Sequence, residues 1–548
     1  MRADLITLST AIDERSAGFY ALGRSSASGV PTAVITTSGT AVANLLPAAV
    51  EADRSNQPLL LISADRPLRL KNTGANQTVN QESFLNPVCR WCGSGPLDGP
   101  TTESDQEMLH LARTAWAQLH QQPGPVHLNC PFEEPLLPTR EQQLEFWAGW
   151  DKTRVTTTPV PVNHRCEGLS PVDPAPGLDP DRPGVIVAGP WRGLRCALQS
   201  YQNGLIAWQQ RSGWPVLADP LAAIPEGLGG VIRHWDLLLP EGLNNLPANA
   251  QVMRLGSMPA SRRLEAWLAQ REGYQLLITE GDPRPLDPLN RADQWSGGLA
   301  QWWQQLSPTK THLGDPAPSK SSESAQTLKD WFTADRVVQH QLGQLLPLQG
   351  AVNEPALMLA LAWQLPRGLP VMLAASSPVR DWQAFAAADT GRRRCYSFRG
   401  ASGIDGTLSL ALGLAAELGP TVLITGDLAL LHDSNGWLQA AMARLPLLVL
   451  LIDNGGGGIF EQLPIETTPE GAFEQLFTMP QPVDHLALAA AHSIPVRQLA
   501  CLEDLSMALE WGFSHASTAL LRVCTHRQND ARLRCDLREA LQQNISSL

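Results

Sequence analysis

The sequence predicts an α/β protein with three doubly wound parallel-sheet domains. Strand-like apolar stretches alternate with helix-like stretches along most of the chain, which is the pattern of βαβ units. The chain has 548 residues, too many for one hydrophobic core, because cores stop growing near ~250–300 residues. Residues 151–183 and 307–351 lack a sustained hydrophobic period and are predicted to be linkers between the domains.

Each of the three domains contains strands and helices of this kind. The first domain, residues 1–150, has strands predicted at 31–37, 58–64 and 126–130, with a helix at 40–53. The central domain, residues 184–306, has strands predicted at 184–189, 252–255 and 275–279. The third domain, residues 352–548, has strands predicted at 371–375, 421–425 and 447–452, with helices at 406–418 and 434–444. Such units place their strands in parallel sheets.

Composition excludes several functional classes. The net charge of −12 argues against a nucleic-acid partner, and no apolar run approaches the ~20 residues of a membrane span. The nine cysteines are scattered and odd in number, and no signal peptide is visible, so a cytoplasmic location is expected. The 41 basic residues include only five lysines, which leaves 36 arginines. Two explanations of this excess of arginine are open: a bias in codon composition, and a site for anionic substrates.

The most informative motif has two halves. Gly426-Asp427-Leu428 is followed, after 24 residues, by Asp453-Asn454 and four glycines at 455–458. Both halves follow predicted parallel strands, where α/β sheets bind ligands. Carboxylate and amide oxygens suit Mg²⁺, and glycines let the backbone approach a diphosphate. Either half alone is typical of a strand end or a turn, but together they predict a cofactor site.

This pair resembles the Gly-Asp-Gly…Asn-Asn signature of thiamine-diphosphate enzymes, with Leu428 and Asp453 as departures. The resemblance implies that the first domain binds the pyrimidine and the third binds the diphosphate. It implies thiamine diphosphate and Mg²⁺, or Mn²⁺, as cofactors, with the cation held by Asp427, Asn454 and the Gly456 carbonyl. Gly426 and Leu428 are then expected beside the cofactor.

The resemblance also requires a glutamate ahead of the first βαβ unit. Glu14 precedes a predicted helix of small residues and is the acid in that position. The family role implies that Glu14 is the catalytic carboxyl, bonded to the aminopyrimidine ring and desolvated, with a raised pKa. Considered alone, Glu14 fits an exposed acid that interacts with a helix dipole.

Five further segments resemble the 2-succinyl-5-enolpyruvyl-6-hydroxy-3-cyclohexene-1-carboxylate synthases. They are Thr36-Thr-Ser-Gly-Thr-Ala-Val-Ala-Asn44, Ser63-Ala-Asp-Arg-Pro67, Gly74-Ala-Asn-Gln77, Val126-His-Leu-Asn-Cys-Pro-Phe132 and Tyr396-Ser-Phe-Arg-Gly-Ala-Ser-Gly-Ile-Asp-Gly406. This resemblance implies a transferase that decarboxylates 2-oxoglutarate and adds the carbanion equivalent to isochorismate, in menaquinone or phylloquinone biosynthesis.

The same resemblance assigns expected roles to particular residues. Cationic groups for the substrate carboxylates are Arg66, Arg263, Arg380 and Arg399, with Arg262 expected to assist. Uncharged groups that orient substrate are Asn76, Gln77 and Ser376. Apolar groups are Ile404, which would hold the cofactor bent, and Ile459, Phe460 and Leu463, which would form a wall beside the thiazolium.

The resemblance further implies a homodimer or homotetramer with active sites shared between chains. One departure concerns the front of the chain, where a Pro-Gly-Ser-Arg-Ser segment of the family does not precede Glu14, so the first domain is expected to lack a strand and a helix. Two alternatives remain: another thiamine-dependent 2-oxo-acid decarboxylase or carboligase, and a non-catalytic ligand-binding relative.

Overall fold

The computed structural model describes residues 7–96, 105–148, 175–239, 241–306, 322–389, 391–463 and 471–545. The chain divides into two compact units, Met1–Ser170 and Pro171–Leu548, here called the first and the second unit. Among the described residues, the first unit contains one sheet and the second unit contains two. All paired strands in the three sheets are parallel, which confirms the predicted fold class.

The first unit is built on a four-stranded sheet with the order β1-β2-β4-β3. Its strands are β1 Thr32–Thr36, β2 Leu59–Asp65, β3 Trp91–Ser94 and β4 Pro125–Pro131. Its helices are α1 Glu14–Ser28, α2 Thr40–Ala43, α3 Leu46–Ser55, α4 Glu82–Leu85, α5 Asp105–Gln121 and α6 Arg140–Ala148. In the described sheet β1 is an edge strand, and Ile35 within it is exposed.

The single helix predicted at 40–53 is instead two helices, α2 and α3. Pro47 lies in the first turn of α3 and has no N–H to donate to the carbonyl of Ala43. The hydrogen-bond ladder therefore breaks between the two segments, and the chain turns through Asn44 and Leu45 before α3 begins.

The second unit begins with a five-stranded sheet in the order β6-β5-β7-β8-β9. Its strands are β5 Gly184–Ala188, β6 Val216–Ala218, β7 Gln251–Leu255, β8 Gln275–Ile278 and β9 Ala292–Trp295. The helices of this part are α7 Leu198–Ser212, α8 Trp235–Leu238, α9 Arg262–Ala269, α10 Leu299–Leu306 and α11 Ser322–Leu345. Strands β5 to β8 are buried along their whole length, as expected for a sheet covered on both faces.

The third sheet has six strands in the order β11-β10-β12-β13-β15-β14. Its strands are β10 Val371–Leu373, β11 Cys395–Ser397, β12 Thr421–Gly426, β13 Leu447–Asp453, β14 Val496–Leu499 and β15 Ala519–Cys524. Its helices are α12 Glu354–Gln364, α13 Ser377–Phe385, α14 Thr407–Leu418, α15 Asp427–His432, α16 Gly436–Ala443, α17 His485–Ala491, α18 Leu505–Phe513 and α19 Arg527–Ile545.

The prediction of a linker over residues 307–351 is wrong for its larger part. Residues 322–345 form α11, a helix of 24 residues whose Trp331, Val338 and Leu342 are buried in the hydrophobic core shared by the two sheets of the second unit. Asp335 of α11 accepts hydrogen bonds from the His234 backbone N–H and lies 2.9 Å from His234 Nδ1. The polar composition of this stretch reflects the exposed face of an amphipathic helix.

The first predicted linker, 151–183, is also shorter than expected. Residues 151–174 lie outside the described residues, but residues 175–183 pack on the central sheet. Leu178 is buried there, and the carbonyl of Pro176 accepts a hydrogen bond from Trp302 Nε1 at 2.8 Å. Within the described part of the chain, no helix has both the length and the hydropathy needed to cross a membrane.

The packing of α11 predicts a large stability effect at its centre. Trp331 is fully buried, and its ring lies 6.5 Å from that of Trp267 in an edge-on arrangement. We expect Trp331→Ala to lower the free energy of unfolding by ~3–5 kcal/mol, because it leaves a large cavity. Gln339→Ala, at an exposed position of the same helix, is the matched control. Urea denaturation measures both, and equal stabilities for the two variants would contradict this packing.

Candidate cofactor and substrate site

The two halves of the glycine-containing motif meet at the carboxyl ends of adjacent strands. Strands β12 and β13 pair in parallel with Gly426 opposite Ile452, so both chains leave the sheet at the same edge. Asp427 begins α15 directly after β12, and Asn454 follows β13 directly. The backbone N–H of Gly456 donates to Asp427 Oδ2 at 2.6 Å. The two halves therefore form one site.

Asn454 presents an unsatisfied oxygen at this site. Its Nδ2 donates to Glu354 Oε1 at 2.7 Å, whereas its Oδ1 is buried and has no hydrogen-bond partner among the residues that the structure describes. A buried acceptor without a partner costs ~1–3 kcal/mol. A cation coordinated by this oxygen would remove that cost.

Asp427 supplies the negative charge of the site. Its carboxylate is buried, and Oδ1 also accepts the Leu428 N–H at 2.8 Å. Burial raises the pKa of Asp427 to about 6, and the neighbouring Asp453 adds to this rise. A bound cation would reverse both effects, since it compensates the desolvated negative charge. The donor set of one carboxylate and one amide oxygen thus fits a hard divalent cation.

The glycine loop completes the wall of the site, and only glycine fits at position 456. Gly456 has a φ of +124°, and a Cβ there would lie 2.2 Å from the Thr478 carbonyl oxygen. The Gly456 carbonyl accepts the Gly458 N–H at 2.8 Å and retains a second lone pair. Arg527 holds the loop from outside, because its Nη1 donates to the Gly455 carbonyl at 2.8 Å.

The proposed cation would be coordinated by oxygen atoms of several kinds. Within the described ranges, no group of three or more His, Cys, Asp or Glu side chains could hold a metal ion. At Asp427 the remaining ligands would therefore be Asn454 Oδ1, a backbone carbonyl such as that of Gly456, and oxygens of a bound diphosphate.

Apolar residues predicted beside the cofactor lie in two segments next to this site. Ile459 and Phe460 belong to the single 3₁₀ turn Gly458–Gln462, and the Phe460 ring lies 5.8 Å from that of Phe477. Leu463 ends this turn and is 37% exposed. Half-buried Ile404 precedes α14, and the adjacent Asp405 Oδ1 lies 3.9 Å from the Nε2 of His432 at the end of α15.

Three of the predicted arginines form a cluster in the second unit. Arg380 is on α13, Arg399 follows β11 and Arg262 begins α9. Burial of part of the side chain lowers the pKa of Arg380, and the charge of Arg399 lowers it further. Asp381 opposes this shift and Arg262 adds to it, and Arg380 as a whole is exposed. The Nε of Arg399 is buried without an acceptor in the described part of the chain. Positive charges this near to one another would attract an anion.

Ser376 lies at the start of α13 with a strained backbone. Its φ of 75° and ψ of −133° belong to a region that is essentially restricted to glycine, and its carbonyl accepts Arg380 Nη1 at 2.6 Å. Gly39 has almost the same angles, φ 83° and ψ −137°, at the start of α2 in the first unit. One of the residues predicted to bind substrate, Ser376, therefore has a strained backbone.

In the first unit, the structure brings Arg66, Asn76 and Gln77 together. Arg66 Nε donates to the Asn76 carbonyl and its Nη2 donates to Gln77 Oε1, both at 3.3 Å. Gln77 has a positive φ of 56° and lies over the turn at Gly39. Arg66 directly follows β2, and Gln77 lies against Gly39 in the turn after β1, so this group lies at the edge where both parallel strands end.

Two predicted residues lie apart from the groups above. Arg263 is paired with Asp236, with Nη2 2.5 Å from Oδ2, and its side chain thus already has a carboxylate partner. Glu14 is the first residue of α1, half-buried, and Asp13 caps the same helix by accepting the Arg15 N–H. Glu14 belongs to the first unit, whereas Asp427 and Asn454 belong to the second.

Sequence reasoning missed the buried charges behind Asn454. Glu354, Asp381 and Arg534 form a buried ionic network, and Arg534 Nη2 donates to both carboxylates. Asp530 lies beside this network. Burial raises the pKa of Asp530, and the positive charge of Arg534 opposes that rise. The available signal was Glu354 itself, an acid at the start of an otherwise apolar helix.

Comparison with known proteins identifies the class. The chain matches the thiamine pyrophosphate enzyme N-terminal TPP binding domain over residues 1–84 and the middle domain of thiamine pyrophosphate enzymes over residues 180–367. It also matches the C-terminal TPP binding domain over residues 381–523. The protein is thus a thiamine-pyrophosphate-dependent enzyme.

Individual relatives narrow this class. A 2-succinyl-5-enolpyruvyl-6-hydroxy-3-cyclohexene-1-carboxylate synthase of Synechococcus sp. (strain CC9311) is 74% identical over 548 residues, covering 100% of this chain and 94% of the relative. A protein of the same name from Prochlorococcus marinus (strain MIT 9313) is 57% identical over 553 residues, with coverage of 100% and 94%. The chain belongs to the 2-succinyl-5-enolpyruvyl-6-hydroxy-3-cyclohexene-1-carboxylate synthase family.

The strain at Ser376 predicts an unusual stability effect. Strain in this backbone region costs of order 1–3 kcal/mol, and glycine removes it at a smaller entropic cost. We expect Ser376→Gly to be about 1 kcal/mol more stable than Ser376→Ala, which lacks the hydroxyl but keeps the strain. Chemical denaturation compares the two variants, and a less stable glycine variant would contradict the backbone conformation described here.

Proposed function

We propose that this protein decarboxylates 2-oxoglutarate and adds the resulting carbanion equivalent to isochorismate. The products would be 2-succinyl-5-enolpyruvyl-6-hydroxy-3-cyclohexene-1-carboxylate and CO₂, in menaquinone or phylloquinone biosynthesis. The observation that carries this proposal is the cluster of Arg262, Arg380 and Arg399 in the unit that also holds the Asp427–Asn454 site. Both proposed substrates carry two carboxylates, so a cluster of arginines suits them. The names of the relatives support the same reaction.

The cofactor side of the proposal rests on the second unit. Mg²⁺, or Mn²⁺ in its place, would be held by Asp427, Asn454 Oδ1 and the Gly456 carbonyl. Gly426 and Leu428 line the same edge at the end of β12 and the start of α15. When bound, thiamine diphosphate supplies the carbanion chemistry. The protein's own contribution is to hold the cation, to exclude water with Ile404, Ile459, Phe460 and Leu463, and to orient the substrate.

The family relation assigns substrate-binding roles to residues in each unit. Arg380, Arg399 and Arg262 would bind carboxylates, and Ser376 would donate a hydrogen bond next to them. Arg66, Asn76 and Gln77 would contribute from the first unit, since they already form one hydrogen-bonded group. Arg263 would bind a substrate carboxylate only after its ion pair with Asp236 has broken. Arginine suits such contacts because its planar group forms two parallel hydrogen bonds to a carboxylate.

The acid–base role is assigned to Glu14, which would hold a proton at the aminopyrimidine ring. The family relation supports a homodimer or homotetramer in which Glu14 of one chain serves the site of another. The scattered cysteines and the biosynthetic relatives support a cytoplasmic location.

Product analysis tests the proposed reaction directly. With 2-oxoglutarate, isochorismate, thiamine diphosphate and Mg²⁺, we expect the succinyl adduct, detected by mass spectrometry, together with CO₂. Succinic semialdehyde without any adduct would favour the alternative, a 2-oxo-acid decarboxylase. Cofactor binding without turnover of either substrate would favour a non-catalytic relative.

The arginine cluster predicts a selective kinetic effect. Arg380→Ala removes a charged hydrogen-bond donor worth ~1.5–3 kcal/mol, so kcat/KM should fall about 10- to 100-fold. Arg367→Ala is the matched control, because Arg367 is largely exposed and pairs with Glu226 at the surface. Steady-state assays with each substrate varied in turn measure the effect. Unchanged kinetics for Arg380→Ala would remove this residue from the site.

The assignment of Glu14 predicts a loss of proton transfer without a loss of cofactor. Glu14→Gln keeps the size of the side chain but cannot hold the proton, so deuterium exchange at C2 of bound thiamine diphosphate should slow by about 10²-fold or more. Calorimetry should show nearly unchanged cofactor binding. Glu107→Gln, at an exposed position of α5, controls for the loss of a charge in the same unit. Exchange at the normal rate in Glu14→Gln would refute the assignment.

A further inference from the structure

We infer that Glu354 is a positioning residue that holds the Asn454 amide with its oxygen toward the cation. The inference rests on the proposed cation site at Asp427 and Asn454. Glu354 itself does not face that site, since it contacts Asn454 from the protein interior. It lies at the first position of α12, where only 2% of it is exposed.

The chemistry of the two side chains determines which way the amide is turned. An ionised carboxylate can only accept hydrogen bonds, whereas an amide has a donating nitrogen and an accepting oxygen. Burial raises the pKa of Glu354 to about 7, but the Arg534 guanidinium paired with Oε2 opposes this and favours the carboxylate. In that form Oε1 accepts a hydrogen bond from the Nδ2 of Asn454, at 2.7 Å. The Oδ1 of Asn454 must then point to the opposite side, where it is buried without a partner among the described residues.

Buried partners hold Glu354 in this position. Arg534 of α19 donates to Glu354 Oε2 through Nη2, and both side chains are almost completely buried. Thr525 Oγ1 donates to Glu354 Oε1 at 3.3 Å, and the Glu354 N–H donates to Asp530 Oδ1 at 3.2 Å. The Arg534 guanidinium thus occupies Oε2 of Glu354, and Oε1 remains as the acceptor for Asn454. Partners behind a ligand typically fix its orientation in metal sites.

Asp381 provides an internal comparison for this role. It accepts from the same Arg534, through Nε at 2.8 Å and Nη2 at 2.5 Å, and it is equally buried. None of its described hydrogen bonds goes to Asn454. If the network served stability alone, the loss of either carboxylate charge would have the same consequence at the cation site. A role in positioning applies to Glu354 only.

The test is Glu354→Gln in the full-length protein. The glutamine carbonyl must face Arg534, because a guanidinium only donates, so the glutamine NH₂ faces Asn454. Asn454 then turns its Oδ1 inward to accept that hydrogen bond and presents its NH₂ to the cation. We expect the dissociation constant for Mn²⁺, measured by electron paramagnetic resonance with saturating thiamine diphosphate, to rise about 10- to 100-fold. This measurement requires no turnover.

Asp381→Asn is the matched control, since it perturbs the same arginine without touching Asn454. Its Mn²⁺ affinity should stay within about threefold of the wild-type value, although its melting temperature falls as in Glu354→Gln. Equal losses of affinity in both variants, or no loss in Glu354→Gln, would overturn the inference. Should Glu354→Gln not fold, Glu354→Asp serves instead: its shorter carboxylate cannot reach Arg534 and Asn454 together, and wild-type affinity would contradict the role.

The wild-type protein separates this inference from the proposed function. If wild type shows no Mn²⁺ binding in the presence of thiamine diphosphate, the proposed cation site itself is wrong. If wild type binds Mn²⁺ and Glu354→Gln binds it equally well, the cation site stands and only the positioning role of Glu354 is wrong.

Discussion

The parallel pairing of β12 with β13 is the constraint on which the candidate site depends. It brings Asp427 and Asn454, which are far apart in the chain, to one edge of the third sheet, where the Gly456 N–H bonds to Asp427. An antiparallel pairing would send the two side chains to opposite edges. The carboxylate, the amide oxygen and the glycine loop therefore act together only because these two strands run in the same direction.

Behind this edge, one buried guanidinium connects three helices. Arg534 on α19 bonds to Glu354 at the start of α12 and to Asp381 on α13. Glu354 bonds to the Asn454 amide, while Arg380 lies on α13 and Ser376 directly precedes that helix. Buried ion pairs often add little net stability. Here the network links the groups proposed for cofactor and substrate through a few rigid hydrogen bonds.

The arginines show how far sequence reasoning extends. Arg263 was the expected carboxylate-binding residue and its neighbour Arg262 was expected only to assist, yet side chains one residue apart on α9 point in different directions. Arg263 pairs with Asp236, while Arg262 joins the charges around Arg380. Which arginine is compensated depends on carboxylates distant in the chain, so composition alone, with its 36 arginines, could not decide between them.

The sequence by itself determined the α/β class, most of the strands inside the sheets and the two halves of the cofactor motif, because periodicity and glycine spacing are local properties. Strands β3, β6, β9, β11 and β14 escaped prediction because they are short strands at the edges of their sheets, and α11 was taken for a linker because its exposed face is polar. The interior strand β15 was also missed. Only the tertiary structure decided the buried set of Glu354, Asp381 and Arg534 and the turned amide of Asn454. The physical reason is that burying a charge is favourable only beside partners brought together from distant parts of the chain.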